Sequence, residues 1–170
     1  MLLKNLLLFI AISTLIIACG TSASDQLEAN KDLVHRFTVS LNAADWNALD
    51  DLMTENFRRH CQATPDVKVK TREEFINLQK SFISSMPDQK IVNQMLISEG
   101  NLVAAYSTYS GTLTGPMGNF PSTGKSMSMK FVSFFRVENS KIAEIWVEWD
   151  NINMLSQLGL FPPPPPPPSK

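Results

Sequence analysis

Cysteine is scarce in this chain: Cys19 and Cys61 are the only two in 170 residues. Histidine is as rare, with His35 and His60 alone. Two histidines and one spare cysteine offer no metal-ligand spacing, so neither a metal nor another cofactor is expected. An excess of positive charge is also missing. Fifteen Lys and Arg stand against 16 Asp and Glu, a net charge of −1. No basic stripe results, which argues against nucleic acid as a partner. The stretch Gly115-Pro116-Met117-Gly118 is a turn and not a phosphate loop, because no helix follows it.

What is present begins at the N-terminus. Lys4 precedes an apolar run from Leu6 to Ile17, broken by Ser13 and Thr14. Ile16-Ile17-Ala18-Cys19-Gly20 follows. A basic start, an apolar stretch and a small residue mark a secretory signal peptide. With a cysteine next, the pattern resembles the bacterial lipobox. This implies a signal peptide over residues 1–18 and lipidation of Cys19, with residues 19–24 as a tether. The apolar run is shorter than the roughly 20 residues that span a bilayer. Each buried acyl methylene adds about 0.8 kcal/mol, so two or three chains anchor firmly. The expected location is the bacterial cell envelope. Gly20 after the cysteine points to the outer membrane where the cell has one. An ordinary signal peptide or an uncleaved anchor are the alternatives.

The remainder has the length of one domain, with an ordinary 44% hydrophobic content. With Cys19 lipidated, Cys61 has no intrachain disulfide partner and reads as a small packed residue.

Periodicity divides the domain, over residues 25–161. Asp25 with Glu28 reads as a capping box opening a helix to about Asn42. Asp45 caps a short helix bearing Trp46, Leu49, Leu52 and Met53. Residues 57–62 read as a short strand and 63–70 as a loop. Thr71-Arg72-Glu73-Glu74 is a second capping box; its helix ends at Met86-Pro87. The period then changes to two. Strands are predicted over 90–98, 102–114, 126–138 and 141–149, with a closing helix or turn over 151–160. Seven prolines from Pro162 to Pro168 form an extended tail, within a proline-rich end over 162–170. Helices followed by an antiparallel meander give an α+β fold.

The strand faces carry the functional expectation. Residues two apart share a face. One face holds Val103, Ala105, Ser107, Tyr109 and Leu113; the next holds Met129, Phe131, Ser133, Phe135 and Val137; the last holds Ile145, Val147 and Trp149. Together they predict one apolar surface covered by the helices. Ser107, Tyr109, Ser133, Phe135, Val147 and Trp149 are the candidate ligand-binding residues. None belongs to a nucleophile motif such as G-x-S-x-G.

Several short words then occur in order: Asn42-Ala43-Ala44-Asp45 with Leu49-Asp50-Asp51-Leu52, Asn56-Phe57 with His60, and Ser110-Gly111-Thr112-Leu113-Thr114-Gly115. Pro121-Ser122-Thr123-Gly124-Lys125, Phe134-Phe135-Arg136-Val137, Trp146 with Trp149-Asp150, and Gln157-Leu158-Gly159 complete the series. From about Asp25 to Leu160 the chain resembles the SnoaL-like polyketide cyclases and ester cyclases of the nuclear transport factor two-like superfamily. The resemblance implies a cone: N-terminal helices over a curved antiparallel sheet, enclosing an apolar cavity. It also implies an aldol cyclase using an aspartate on the last strand and a histidine on the strand before. Those positions align with Val147 and Ser133 here, and a third family histidine aligns with Leu113.

The remaining weak catalytic candidates are His60, which the resemblance places near the cavity, and Asp150, which can equally cap the closing segment. Glu144, Trp146 and Glu148 read as the outer face and fit a homodimer, common in this superfamily. Three readings stand. The first is a membrane-anchored module binding a small apolar carbonyl or polyketide-like molecule without the cyclase acid. The second is an ester cyclase or isomerase-type enzyme using other residues. The third is a non-catalytic assembly lipoprotein. The polarity of the cavity floor discriminates among them.

Overall fold

Ser22 begins the first helix, one turn before the expected cap. In the computed structural model, which describes residues 22–161, its hydroxyl accepts from the Asp25 N–H at 3.1 Å. The Asp25 carboxylate accepts from the Ser22 N–H at 3.2 Å. Asp25 is thus the acid of the box and not its cap. Cys19 and the proline run lie outside the described residues.

Helix α1 (Ala23–Ala43) ends at Ala44 in the left-handed region, φ 52°. Asp45 then caps α2 (Trp46–Asp51), accepting from the Ala48 N–H at 3.0 Å. Strand β1 (Met53–His60) starts four residues before the expected Phe57. Helix α3 (Arg72–Ser85) is capped by Thr71, whose hydroxyl accepts from the Glu74 N–H at 3.2 Å. The Glu74 carboxylate accepts from the Lys70 N–H at 2.6 Å, so the second arm reaches one residue past the cap. The expected reciprocal box is therefore half made.

The meander follows the period-two pattern: β2 (Lys90–Glu99), β3 (Leu102–Thr112), β4 (Ser126–Glu138) and β5 (Lys141–Trp149). Asn139 and Ser140 both have positive φ, the geometry of a two-residue hairpin turn between β4 and β5. A short α4 (Asn151–Gln157) closes the described fold.

The sheet order is β1-β5-β4-β3-β2. The four meander strands are antiparallel, as expected. Strand β1 adds to β5 in parallel, with Arg59 opposite Ile145 and His60 opposite Trp146. The sheet is consequently mixed and not wholly antiparallel. Asn42, at the end of α1, seals part of the β2 edge: its amide donates to the Ile91 carbonyl at 2.7 Å and accepts from the Ile91 N–H at 2.8 Å.

Apolar side chains segregate into two clusters under the helices. One centres on Phe37, Phe57, Phe75 and Phe135. Phe37 lies 5.7 Å from Phe75 and 5.6 Å from Phe135, edge-on to the latter. Such pairs add about 0.5–1.5 kcal/mol beyond burial. The other cluster holds Met86, Leu113, Met127, Met129, Met154 and Leu158. Gly115 keeps the following loop against α3. A Cβ there would meet the Ser84 carbonyl oxygen at close range, and its N–H donates to the Ser85 carbonyl at 2.9 Å.

Candidate functional site

Both clusters contribute wall to one cavity of about 730 Å³, well within the range of small-molecule sites. Its floor is the inner sheet face, in rows set by strand register. Ala105, Ser133 and Val147 form one row; Ser107, Phe131 and Trp149 form the next. Helix α3 supplies Phe75, Leu78, Gln79 and Phe82. Loops 63–67 and 117–120, with α4, complete the lining. All six candidate ligand-binding residues line this space.

The hydroxyls of Ser107 and Tyr109 on the floor are already engaged with protein. Ser107 donates to Asn93 Oδ1 at 2.9 Å, and Asn93 Nδ2 donates to Thr38 Oγ1 at 3.0 Å. Thr38 donates onward to the Val34 carbonyl at 3.1 Å. Tyr109 donates to Gln89 Oε1 at 2.7 Å. Burial pushes the Tyr109 hydroxyl up from its ordinary value, with Asp88 acting in the same sense. At neutral pH it is a neutral phenol, a donor and not a base.

Ser133 and Val147 are register partners across β4 and β5, and both face the cavity. The two positions where the resemblance implies histidine and aspartate are thus side by side in the lining. Neither side chain can take a proton from carbon. Leu113, at the third family histidine, is fully buried in the methionine-rich cluster.

His60 lies elsewhere. It stacks on Trp146 with centroids 5.0 Å apart, half exposed, with Glu144 3.9 Å away. Trp146 belongs to the outer face, so His60 is turned away from the cavity. The expectation of a cavity histidine is corrected by simple alternation: buried Phe57 faces inward, hence Arg59 does too, and His60 points out. Asp150 is exposed and caps α4, accepting from the Asn153 N–H at 2.9 Å. It does not line the cavity.

Residues not singled out from sequence complete the lining: Arg59, Gln79, Gln89, Asn93 and Thr38. Arg59 is the most consequential. It is 7% exposed. Burial pushes its guanidinium below the ordinary value, while Cys61 and Glu148 act in the opposite sense. It remains charged, since arginine keeps its proton in proteins. Its position two residues after Phe57 was the signal available in the sequence.

Among the described residues no group of three His, Cys, Asp or Glu side chains could hold a metal ion. No described helix is long and apolar enough to cross a membrane.

A family model for SnoaL-like polyketide cyclases matches residues 31–158. No curated protein sequence matches the chain. Among solved structures, a provisionally assigned SnoaL-like polyketide cyclase from Jannaschia sp. CCS1 aligns with a TM-score of 0.75 at 20% identity, covering 85% of this chain and 100% of that one. IdmH from Streptomyces antibioticus, provisionally a polyketide cyclase, gives 0.68 at 26% identity over 76% of this chain and 98% of its own. AclR from Streptomyces galilaeus, provisionally a hydroxylase, gives 0.69 at 20% identity over 80% and 99%.

Proposed function

The chain belongs to the SnoaL-like polyketide cyclase family, and on that footing we propose that it binds a small, largely apolar carbonyl or polyketide-like ligand without the cyclase acid–base pair. One observation carries this reading: Val147 and Ser133 lie side by side in the cavity lining. Intramolecular aldol closure needs a base for the proton next to a carbonyl, and such help is worth about 10² to 10⁴ in rate. An isopropyl group and a hydroxyl do not supply it. The titratable groups of the cavity are Arg59, Asp66 and Tyr109. Arg59 is a cation, Tyr109 is a neutral phenol, and Asp66 is exposed on the loop at the edge of the lining.

The first test is equilibrium dialysis of the protein with a neutral aromatic ester, methyl 2-naphthylacetate. Saturable binding of one molecule per chain is expected. Val147→Trp, which fills the floor, should weaken it. Binding unaffected by Val147→Trp would place the ester outside the cavity and contradict the reading.

We further propose that Cys19 carries lipid and holds the domain at the cell envelope. The support is the apolar run ending in Ile16-Ile17-Ala18-Cys19. A homodimer through the outer sheet face is the assembly we favour. Met95, Ile97, Tyr106 and Phe134 are all exposed there, and a contiguous exposed apolar patch marks an interaction surface. The enzyme reading, with other residues doing the chemistry, is the competing outcome of a turnover assay.

A further inference from the structure

We propose that Arg59 is the anchor for an anionic oxygen group on the cavity's ligand, so that the ligand class is a small apolar carboxylate. This rests on the ligand-binding reading above and specifies its chemistry.

The observation is an inversion of the usual pattern of charge and burial. Arg36, Arg72 and Arg136 have side chains 31–55% exposed, and each holds a carboxylate at 2.8–3.0 Å. Arg59 is 7% exposed, and no carboxylate among the described residues lies within 4.0 Å of it. Taking a charge out of water is costly unless it is paired. The oxygen that meets it is the Thr64 hydroxyl, shared between Nη1 and Nη2 at 3.3 Å each. The Cys61 thiol, a weak acceptor, is its other side-chain partner, and one long hydroxyl contact with one weak sulfur acceptor leaves much of a five-donor fork uncommitted. The Trp149 ring lies 5.8 Å from the guanidinium carbon. Glu148 is exposed, with its Oε1 held by the Gln62 N–H at 2.8 Å.

Arg59 also stands at the border of two chemistries. Its register neighbour is Ile145, and Val147, Trp149 and Phe131 extend the apolar floor beside it. Thr64 and Asp66 are the polar residues of the 63–67 loop, which also lines the cavity. Asp66 is exposed, so water screens its charge. A ligand with an apolar body on the floor would bring a carboxylate to the planar fork, which matches it in two parallel hydrogen bonds. The anion offsets the buried cation, and the cation offsets the anion's own desolvation.

The test compares two probes of one shape, 2-naphthylacetate and its methyl ester, by equilibrium dialysis against the full-length protein. Arg59→Met should weaken the carboxylate roughly ten- to hundredfold and leave the ester within about twofold, the scale of charge-assisted hydrogen bonds. Arg59→Lys, which keeps the charge but not the fork, should lose less. Equal losses for both probes, or no loss for the carboxylate, would make Arg59 structural and overturn the proposal. If Arg59→Met does not fold, the carboxylate-to-ester affinity ratio of Arg59→Lys decides: a fall supports the anchor, and an unchanged ratio contradicts it. Ester binding by the wild-type chain without carboxylate binding would overturn this proposal alone. Binding of neither probe would overturn the cavity reading beneath it.

Discussion

At the residue scale, the site turns on which side of a strand a side chain occupies. Val147 and Ser133 were legible as cavity positions because the alternation through β4 and β5 is regular where they sit. Arg59 was legible in principle, through Phe57 two residues before it. The resemblance drew attention to His60 instead, and a family motif carries no guarantee of facing. The floor tests itself by restoration. In Val147→Asp with Ser133→His, the new aspartate should titrate above the reference of about 3.9, because desolvation disfavours its charged form. Carboxyl chemical shifts followed against pH give the value, and one at or below the reference would contradict a dry floor. Asp88 makes a second residue-scale case. Its carboxylate accepts from the Thr112 N–H and hydroxyl, both at 2.7 Å, and the hydroxyl bond is the larger cause that holds its pKa below 3.8. A depressed folded-state pKa stabilises above the unfolded value and loses that contribution as pH falls through the folded one. Asp88→Asn should therefore lower the urea midpoint at pH 7, and the gap should close in acid below that value. A gap independent of pH would remove the ionic origin.

At the element scale, what is local in sequence was legible and what is remote was not. Strands β4 and β5 matched their predicted bounds because a two-residue turn separates them and alternation runs to both ends. Strand β1 was placed late and its partner was not foreseen. It pairs in parallel with β5, some 85 residues on, as in His60↔Trp146, and nothing within β1 encodes that distance. Asn42 shows how a motif residue acts through an element. Its two hydrogen bonds to Ile91 hold α1 on the edge of β2. At about 0.5–1.5 kcal/mol per bond, Asn42→Ala should cost roughly 1–3 kcal/mol in urea unfolding. A variant as stable as wild type would show that water replaces both bonds without loss.

At the scale of the whole molecule, the fold is a cone with two faces of different use. The inner face holds the cavity; the outer face carries exposed apolar side chains across β2, β3 and β4. Phe134→Glu should convert the expected dimer to monomer by sedimentation, with the cavity unaffected. A wild-type chain that sediments as a monomer at high concentration would contradict the dimer. The proposed lipid tether at Cys19 belongs to this scale too. Cys19→Ser should leave the precursor unlipidated, and a mature N-terminus found unmodified at another residue by mass spectrometry would contradict it.

The proposed function has the chain keep the family's cavity while lacking the groups that close a ring. The most direct measurement is to incubate the unmodified protein with a linear polyketide methyl ester and follow bound and cyclised material together by chromatography. Saturable binding is expected, with the ester cyclised no faster than in the buffer control. Conversion to the aldol product as fast as by an authentic cyclase would contradict it.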